Sequence, residues 1–519
     1  MTLPPPDEWP VDEPLDDPCG DILRERASST PDATAVVDAD EGQSWTYSEF
    51  DERVTARAAA LRTVADVGGG RVGLLLETRP AFAELYLATG RLGASAVALN
   101  VDLPVGRLRS QAERADLDAV VCSRSTEKLA PELASADVPV ASVDKPEFER
   151  TASLRRRDAT EEYETVQPLD AERLVAFTSG TTGEPKGVRL TRRNLVASAV
   201  GSAHRLGVDA DDRWLVCLPM YHMGGHAPLV RSTLYGTTTA IQREFDAEAA
   251  ASVMDEFDVT GVSLVPTMLT RLLDAGWAPA ASLRFVLLGG APASRELLER
   301  CADRGVPAYP TYGMTETASQ VATATPAESR AHPDTVGRPL RGTIVTVVDG
   351  DGDPVETGAT GELVVDGPTV TPGYLDADQT AGAFGGRGFH TGDLGYADDE
   401  GRLWVVGRVD DAIVTGGENV HPTRVVDALR AADGVEDVAV VGLPDEEWGE
   451  RVAALVVPVE SASEATTLSP QRVREAARER LAGFAVPKTV AFTDELPRTH
   501  SGTVDRDAVR DRLVDARTD

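Results

Sequence analysis

Lysine is scarce in this 519-residue chain, in which every basic residue other than Lys128, Lys145, Lys186 and Lys488 is an arginine. Acidic residues number 85 against 51 basic ones, which gives a formal net charge of −34. A surface of that charge repels the phosphate backbone of nucleic acids. We therefore predict that the protein does not bind nucleic acids in general.

Long apolar runs and paired cysteines are also missing. No run approaches the ~20 apolar residues that span a bilayer. The first residues, Met1-Thr-Leu-Pro-Pro-Pro-Asp-Glu, contain neither the basic nor the apolar segment of a secretion signal. The four cysteines form no Cys-x-x-Cys pair, which argues against a disulfide framework or a zinc site. These absences predict a cytoplasmic protein without a membrane span.

The excess of acid over base has two explanations. Carboxylates keep a surface hydrated in concentrated salt, where their mutual repulsion is screened. A GC-rich genome would also enrich arginine, alanine, glycine and aspartate codons. Codon bias alone would not choose acidic over basic residues, so the composition favours a halophilic protein.

Hydrophobic periodicity predicts α/β and α+β architecture in two to four domains. In the first part of the chain, helical apolar spacing from Phe50 to Leu61 precedes a buried strand at Arg71–Leu76, and the alternation recurs as βαβ units with a mostly parallel sheet. Short alternating strands with Asp-Gly turns begin near Thr343 and predict a β-rich subdomain. After Asp411 the helices and strands predict a small α+β domain.

The segment Thr178-Ser-Gly-Thr-Thr-Gly-Glu-Pro-Lys-Gly187 has the composition of a phosphate-binding loop. Backbone N–H groups and hydroxyls of such a loop surround a polyphosphate, and Lys186 supplies positive charge. Pro185 and Gly187 stand where a Walker A loop has its second glycine and its Ser or Thr. The alternative is an ordinary hairpin loop. We predict a phosphate loop between two strands, outside the P-loop class.

Three further motifs follow in order, and with the phosphate loop they span nearly the whole chain. They are Tyr312-Gly-Met-Thr-Glu-Thr-Ala-Ser319, then Thr391-Gly-Asp-Leu-Gly395 with Gly407-Arg-Val-Asp-Asp411, and finally Pro497-Arg-Thr-His-Ser-Gly502. Their joint occurrence resembles the adenylate-forming enzymes, which include acyl-CoA synthetases, firefly-luciferase-like enzymes and peptide-synthetase adenylation domains. The resemblance implies a large N-terminal domain at 1–407, a hinge at 408–411 and a small mobile C-terminal domain at 412–519.

The resemblance implies that ATP and Mg²⁺ activate a small carboxylic acid. In this reaction a carboxylate attacks the α-phosphorus of ATP, and the enzyme contributes by positioning the reactants and neutralising charge. The loop would hold phosphates, Tyr312 would stack on adenine and Asp393 would bind the ribose with help from Arg408. The residues assigned to ATP or AMP are Thr178, Ser179, Gly180, Thr181, Thr182, Gly183, Lys186, Gly290, Ala291, Pro292, Tyr312, Gly313, Thr315, Asp393 and Arg408.

Glu316 is the implied ligand of Mg²⁺, because this hard cation prefers carboxylate and phosphate oxygens. An alternative for Glu316 is a capping box with Thr315 at the start of a helix. The residues that we assign to catalysis are Lys186, His222, Thr315, Glu316 and Arg498.

The middle of the chain resembles one subgroup of these enzymes, the o-succinylbenzoate–CoA ligases of menaquinone biosynthesis. The similarity lies in Pro219–Gly225, Leu287–Pro292 and Thr311–Gln320. A dicarboxylate substrate needs one carboxyl activated and the other recognised, so the implied substrate residues are His222, Arg231 and Ser319. Another aryl acid or a fatty acid is the alternative, and a lone histidine after a tyrosine is often a packing residue.

The thioester step requires CoA as the second substrate. The resemblance implies that the C-terminal domain rotates about Asp410 between the two half-reactions and brings Gly416 and Gly417 beside the CoA pantetheine chain. Because no carrier-domain attachment site follows Arg506, we predict free CoA rather than a tethered carrier. The predicted protein is a monomer or a homodimer.

The C-terminal motif departs from the family pattern. The family has Ser-Gly-Lys, and its lysine bridges the substrate carboxylate and the α-phosphate, whereas this chain has Ser501-Gly-Thr503. Removing one preorganised donor of this kind typically costs about 3–4 kcal/mol of transition-state stabilisation. Three explanations stay open. Another cation (Lys488, Arg498 or Arg506) substitutes, the enzyme tolerates slow adenylation, or the protein is a nucleotide-binding pseudoenzyme.

Overall fold

The structure is a computed structural model, and it describes residues 20–135, 137–156, 168–178, 185–445, 447–459, 468–498 and 504–515. Several predicted site residues lie outside these ranges. They are Ser179, Gly180, Thr181, Thr182 and Gly183 of the phosphate loop, together with Thr503.

The helices of the described residues begin and end as follows. They are α1 (Ile22–Ser29), α2 (Tyr47–Val64), α3 (Pro80–Arg91), α4 (Val105–Ala115), α5 (Ala130–Leu133), α6 (Arg192–Leu206), α7 (Met223–Tyr235), α8 (Ala247–Glu256), α9 (Pro266–Asp274), α10 (Arg295–Asp303), α11 (Pro326–Ala331), α12 (Ala377–Ala383), α13 (Pro422–Arg430), α14 (Pro470–Arg478) and α15 (Arg506–Asp515).

The strands alternate with these helices in the N-terminal region and dominate after residue 338. They are β1 (Thr34–Asp38), β2 (Gln43–Thr46), β3 (Arg71–Leu75), β4 (Ser95–Ala98), β5 (Ala119–Cys122), β6 (Val140–Ser142), β7 (Thr151–Ser153), β8 (Glu172–Thr178), β9 (Lys186–Thr191), β10 (Arg213–Val216), β11 (Thr238–Ile241), β12 (Gly261–Leu264), β13 (Phe285–Leu288), β14 (Ala308–Met314), β15 (Ser319–Thr323), β16 (Arg338–Pro339), β17 (Ile344–Val348), β18 (Gly361–Asp366), β19 (Gly373–Tyr374), β20 (Phe384–Gly385), β21 (Gly388–Ala397), β22 (Leu403–Arg408), β23 (Ile413–Thr415), β24 (Glu418–Val420), β25 (Val435–Asp445), β26 (Gly449–Pro458) and β27 (Thr489–Phe492).

Two large sheets form the N-terminal region. One has the order β19-β9-β8-β4-β3-β5-β6-β7 and the other the order β16-β15-β14-β13-β12-β10-β11-β1-β2. The central strands of both are parallel, whereas β9, β15 and β19 pair antiparallel at the ends. The parallel strands are apolar and buried on both faces, as a sheet covered by helices requires.

A smaller antiparallel sheet follows, with the order β17-β18-β21-β20 and with β22 paired to β21. The C-terminal region contains a separate mixed sheet. In it, β25 and β26 form a long antiparallel pair, and β27 joins β26 in parallel. Side chains on the two faces of this pair alternate. Val438 and Val440 pack with α13 and α14, whereas Val441 and Leu443 pack with α15.

The architecture confirms the predicted combination of βαβ subdomains, a β-rich subdomain and a small α+β domain. It differs from the prediction in having two N-terminal sheets, because apolar periodicity identifies a strand but not the sheet that it joins. Within the described part of the chain, no helix has the length and apolar character needed to cross a membrane.

Candidate active site

The described ends of the predicted phosphate loop lie directly opposite each other. Thr178 is the last residue of β8 and is the pairing partner of Lys186, the first residue of β9. Gly187 packs closely against Leu375 of the segment that follows β19, since a Cβ built on Gly187 would lie 2.5 Å from Leu375 Cδ1. The hairpin geometry confirms that this segment connects two strands.

The second motif forms a tight turn between β14 and β15. Thr315–Thr317 is one turn of 3-10 helix, and Ala318 follows with a left-handed backbone φ of 53°. Gly313 is held closely as well, because a Cβ there would lie 1.7 Å from the carbonyl oxygen of Ser319. The side chain of Glu316 is buried in this turn, and the hydroxyl of Thr317, rather than Glu316, bonds to the backbone N–H and C=O of Met314 at the start of the 3-10 turn.

Glu316, Lys186 and Tyr374 lie together at the described end of the predicted phosphate loop, where β9 begins. The Tyr374 hydroxyl donates a hydrogen bond of 3.0 Å to Oε1 of Glu316, and Lys186 Nζ lies 5.1 Å from the centre of the Tyr374 ring. Burial raises the pKa of Glu316, while Tyr374, Lys186 and the more distant Arg408 act to lower it. The site is therefore a buried carboxylate in positively charged surroundings.

The donor set fits a magnesium ion shared with a nucleotide. No group of three or more His, Cys, Asp or Glu side chains that could hold a metal occurs in the residues that the structure describes. Mg²⁺ usually takes one or two protein carboxylates and completes its shell with water and substrate phosphates. A single buried carboxylate at Glu316, within the electrostatic influence of Lys186, matches that requirement.

Tyr312, Asp393 and Arg408 converge from β14, β21 and β22. The Tyr312 hydroxyl donates to Oδ2 of Asp393 at 2.7 Å, and Nη1 of Arg408 donates to Oδ1 at 3.0 Å. The backbone N–H of Asp393 also donates to Thr391 Oγ1 at 3.0 Å. Burial raises the pKa of Asp393, and the two side-chain partners oppose that rise. The predicted ribose-binding carboxylate is thus held on both oxygens.

Gly290, Ala291 and Pro292 connect β13 to α10 at the carboxyl end of the parallel sheet. Gly290 has a left-handed φ of 79° and, like Pro292, is exposed. A Cβ on the preceding Gly289 would lie 2.8 Å from Thr311 Cγ2 on the neighbouring strand β14. The segment therefore lies beside the Tyr312 strand, as the predicted adenine site requires.

His222 directly precedes α7 and is half-buried. Its ring makes an edge contact with Tyr221 at 4.8 Å between centroids, and the Tyr221 hydroxyl donates to Oδ2 of Asp102. Two helical turns further along α7 lies Arg231, which is 6% exposed. The two predicted acid-binding residues thus belong to one helix and its N-cap.

Arg231 is a buried cation whose hydrogen-bond acceptors are neutral, and Asp212 lines the same cavity. Its Nη1 donates to Ser202 Oγ at 2.9 Å and to Gln320 Oε1 at 3.3 Å, and its guanidinium stacks 4.4 Å from the centre of the Trp214 ring. Nε has no hydrogen-bond partner among the described residues. Burial lowers the pKa of Arg231 to about 10. A cavity of ≈30 Å³, large enough for a water molecule, is lined by Arg231, Ser202, Trp214 and Asp212.

The C-terminal candidates lie on separate parts of the small domain. Gly416 and Gly417 form the two-residue turn between β23 and β24, both with left-handed φ, as a type I′ hairpin requires. A Cβ on Gly416 would lie 2.6 Å from Trp448, whose ring also carries Lys488 Nζ at 3.7 Å. Asp410 is exposed between β22 and β23.

Arg498 and Arg506 occupy different environments. Arg498 forms an ion pair of 2.7 Å with Asp437. Arg506, the first residue of α15, forms an ion pair with Asp411 in the predicted hinge. Its pKa is lowered by burial first, and the charges of Arg510 and Arg408 add to that effect. Arg506 is therefore close enough to Arg408, the partner of Asp393, for the two arginine charges to interact.

Sequence motifs missed several contacts of this site. Neither Tyr374 nor Gln320 is among the predicted site residues, yet Tyr374 contacts Glu316 and Gln320 contacts Arg231. The only local signal for Tyr374 is the Pro372-Gly-Tyr turn, which by itself predicts a bend in the chain.

Two family models match the sequence. The model of the AMP-binding enzyme matches residues 23–375, and that of the AMP-binding enzyme C-terminal domain matches residues 426–503. The chain belongs to the AMP-binding enzyme family. This membership confirms the resemblance to adenylate-forming enzymes that the motifs indicated.

Relatives within the AMP-binding enzyme family are similar over almost the whole chain. The 2-succinylbenzoate–CoA ligase of Bacillus thuringiensis subsp. konkukian is 36% identical over 485 residues, which cover 92% of this chain and 95% of the relative. The structure of o-succinylbenzoate CoA synthetase (MenE) of Bacillus subtilis with the acyl-adenylate intermediate OSB-AMP is 31% identical, with a TM-score of 0.84, and covers 95% of this chain and 98% of MenE. The MenE complex with ATP and a magnesium ion gives a TM-score of 0.83 at 31% identity, and the match covers 95% of this chain and 99% of MenE.

Proposed function

We propose that this member of the AMP-binding enzyme family joins o-succinylbenzoate to CoA and converts ATP to AMP and diphosphate through an acyl-adenylate. The named relatives support this reaction, and the arrangement of Lys186, Glu316, Tyr312 and Asp393 supports nucleotide binding. The proposed protein is a cytoplasmic monomer or homodimer.

The environment of Arg231 is the structural observation that supports o-succinylbenzoate as the acid. Burying an unpaired cation is costly, and a protein retains one where a charged partner can arrive. The hydrogen-bond acceptors of Arg231 are a hydroxyl and an amide, both neutral, and Nε is left without a partner in the described chain. A substrate with a second carboxylate, as in o-succinylbenzoate, would compensate this charge. A monocarboxylic fatty acid would leave it uncompensated.

The described residues suggest how adenylation proceeds. Lys186 would neutralise phosphate oxygens, and Asp393 would accept hydrogen bonds from the ribose hydroxyls while Tyr312 and Arg408 hold its orientation. Glu316 would hold Mg²⁺, which when bound neutralises charge on the phosphates. Thr315 and Ser319 border the same turn, and His222 would donate to the acid at the N-terminus of α7. These groups orient the carboxylate toward the α-phosphorus and need no covalent bond to the protein.

The second half-reaction is proposed to use the small domain. Residues 1–407 and 412–519 would rotate relative to each other about Asp410, so that Gly416 and Gly417 lie beside the pantetheine of CoA. The positive φ values of both glycines and the open space around Gly417, where an added Cβ would have no atom within 4 Å, support a close approach of pantetheine to this turn.

The experiment compares two acids that differ in one carboxylate. The purified protein, in molar KCl with Mg²⁺, ATP and CoA, is given o-succinylbenzoate or 4-oxo-4-phenylbutanoate, which lacks the ring carboxylate. We expect AMP release with the first and a kcat/KM lower by at least about 10-fold with the second, because a lost charge-assisted contact costs about 1.5–3 kcal/mol.

Arg231→Gln provides the matched control on the protein side. This variant should lose most of its kcat/KM for o-succinylbenzoate and much less for the analogue, which has no second carboxylate to bind. Equal loss for both acids would contradict the assignment of Arg231. Absence of AMP release and of ATP–pyrophosphate exchange with every acid tested would favour a nucleotide-binding pseudoenzyme instead.

A further inference from the structure

The Tyr374 side chain contacts two residues of different motifs. We infer that Tyr374 is a positioning residue that fixes the metal-binding carboxylate of Glu316 relative to the phosphate-binding ammonium of Lys186. This inference rests on the proposed function, because it assumes that Glu316 and Lys186 serve a metal–nucleotide complex.

The backbone places Tyr374 beside the phosphate-loop strand. Strand β19 pairs antiparallel with β9, so that Tyr374 lies opposite Val188, two residues from Lys186. The N–H of Leu375 donates to the carbonyl oxygen of Gly187 at 2.8 Å. The Tyr374 side chain is buried, with 4% of its surface exposed.

The same short segment is bonded to the turn that carries Glu316. The N–H of Thr371 donates to the carbonyl oxygen of Glu316 at 2.8 Å, and the Thr371 hydroxyl donates to carbonyl oxygens of Arg189 and Gly373. Residues 371–375 therefore connect β9 to the 3-10 turn through backbone groups. A change in the position of Tyr374 would displace both partners.

The chemistry of the two contacts is complementary. The phenol O–H of Tyr374 donates to Oε1 of Glu316. A carboxylate with one oxygen held in this way presents its other oxygen in a fixed direction. The ring face attracts the Lys186 ammonium at 5.1 Å, which is within the usual range of a cation–π contact. Hydrogen-bond partners of metal ligands typically affect metal affinity by about 10–100-fold.

The test measures metal binding directly. Mn²⁺ is titrated into the protein with saturating α,β-methylene-ATP, and free Mn²⁺ is followed by electron paramagnetic resonance. Tyr374→Phe removes the hydroxyl and keeps the ring. We expect Tyr374→Phe to weaken Mn²⁺ binding by about 10-fold, with binding of the metal-free nucleotide analogue changed less than about 2-fold. The concentration of Mg²⁺ that gives half-maximal activity should rise in parallel.

Tyr396→Phe is the matched control, since Tyr396 stacks on Trp404 and lies outside the Glu316 cluster. It should bind Mn²⁺ as the unmodified protein does. If Tyr374→Phe is less stable than the unmodified protein, Mn²⁺ binding is compared through the rise in Tm that Mn²⁺ adds to the rise produced by the nucleotide alone. Unchanged Mn²⁺ affinity in Tyr374→Phe would overturn the inference. Failure of the unmodified protein to bind Mn²⁺ with the nucleotide would instead overturn the proposed function.

Discussion

The hydroxyl of Tyr312 lies 2.7 Å from Oδ2 of Asp393, although 81 residues separate them in the chain. Arg408 holds the other carboxylate oxygen at 3.0 Å. Three strands of two different sheets therefore determine the direction in which this carboxylate faces. Because both oxygens have protein partners, a ribose bound here would meet an acceptor that is already oriented.

Nucleotide affinity should depend on the ionisation of Asp393. Burial raises the pKa of this group, so the carboxylate takes up a proton at a higher pH than the usual value of about 3.9 for aspartate. We expect the Kd for ATP to increase as the pH falls through the raised pKa. The stability of the nucleotide-free protein should change with pH in the opposite direction to its ATP affinity. Because the folded-state pKa is raised, Asp393 contributes most to the free energy of unfolding below its unfolded-state pKa. That contribution is lost as the pH rises through the folded-state pKa. Calorimetric titration of ATP across acidic pH measures the first effect.

Asp393→Asn is the control for that pH dependence. The variant should bind ATP about 10–100-fold more weakly at neutral pH, which corresponds to one charge-assisted hydrogen bond. Its remaining affinity should vary less with pH in the acidic range. An equally steep acidic loss in Asp393→Asn would assign the titration to another group.

Gly392 allows Arg408 to approach Asp393. Its φ is +69°, and a Cβ built on it would lie 2.7 Å from Nη2 of Arg408. Gly392→Ala should displace the guanidinium and weaken ATP binding, by roughly 3- to 10-fold if half of a charge-assisted contact is lost. Equilibrium binding of ATP measures the effect.

Gly401 provides a matched comparison. It has a similar φ of +74° but no atom within 4 Å of the added Cβ. Both Ala variants should lose about 1–2 kcal/mol of stability from the left-handed backbone, as thermal unfolding would record. Only Gly392→Ala should lose ATP affinity. Similar ATP binding in the two variants would show that the Arg408 contact does not matter.

Arg506 is the cation that we expect to compensate for the missing lysine. It is paired with Asp411 of the hinge and acts electrostatically on Arg408, whereas Arg498 is paired with Asp437. Arg506→Ala should slow ATP–pyrophosphate exchange by about 100-fold, the typical effect of one lost preorganised donor. Arg498→Ala should change it little. Thr503→Lys should leave the exchange rate equal or higher.

Asp411→Asn separates the charge of Arg506 from its ion pair. This variant breaks the ion pair but retains the Arg506 cation. If Arg506 had a purely structural role, Asp411→Asn and Arg506→Ala would slow ATP–pyrophosphate exchange equally. We expect Asp411→Asn to retain much more exchange activity than Arg506→Ala. Greater loss in Arg498→Ala than in Arg506→Ala would return the role to Arg498.

Local sequence was sufficient to predict much of this protein. The run of small and hydroxyl residues from Thr178 to Gly187 predicted a phosphate loop between strands, and the structure places its ends on the paired strands β8 and β9. The Asp-Gly turns after Thr343 predicted a β-rich subdomain, and the structure has the antiparallel strands β17, β18 and β21 there. Such features depend on backbone geometry and on neighbours close in the chain, so the residues themselves specify them.

The sequence by itself therefore determined the classes of strand and helix, the motifs and the family. Only the tertiary structure decided which distant side chains meet. Tyr374 reaches Glu316 across 58 residues, and Gln320 reaches Arg231 across 89. The physical reason is that each contact depends on which sheet a strand joins. It also depends on which buried polar or charged side chains still need a hydrogen-bond partner once the chain has folded. Those outcomes follow from packing the whole chain, and no local pattern of residue types encodes them.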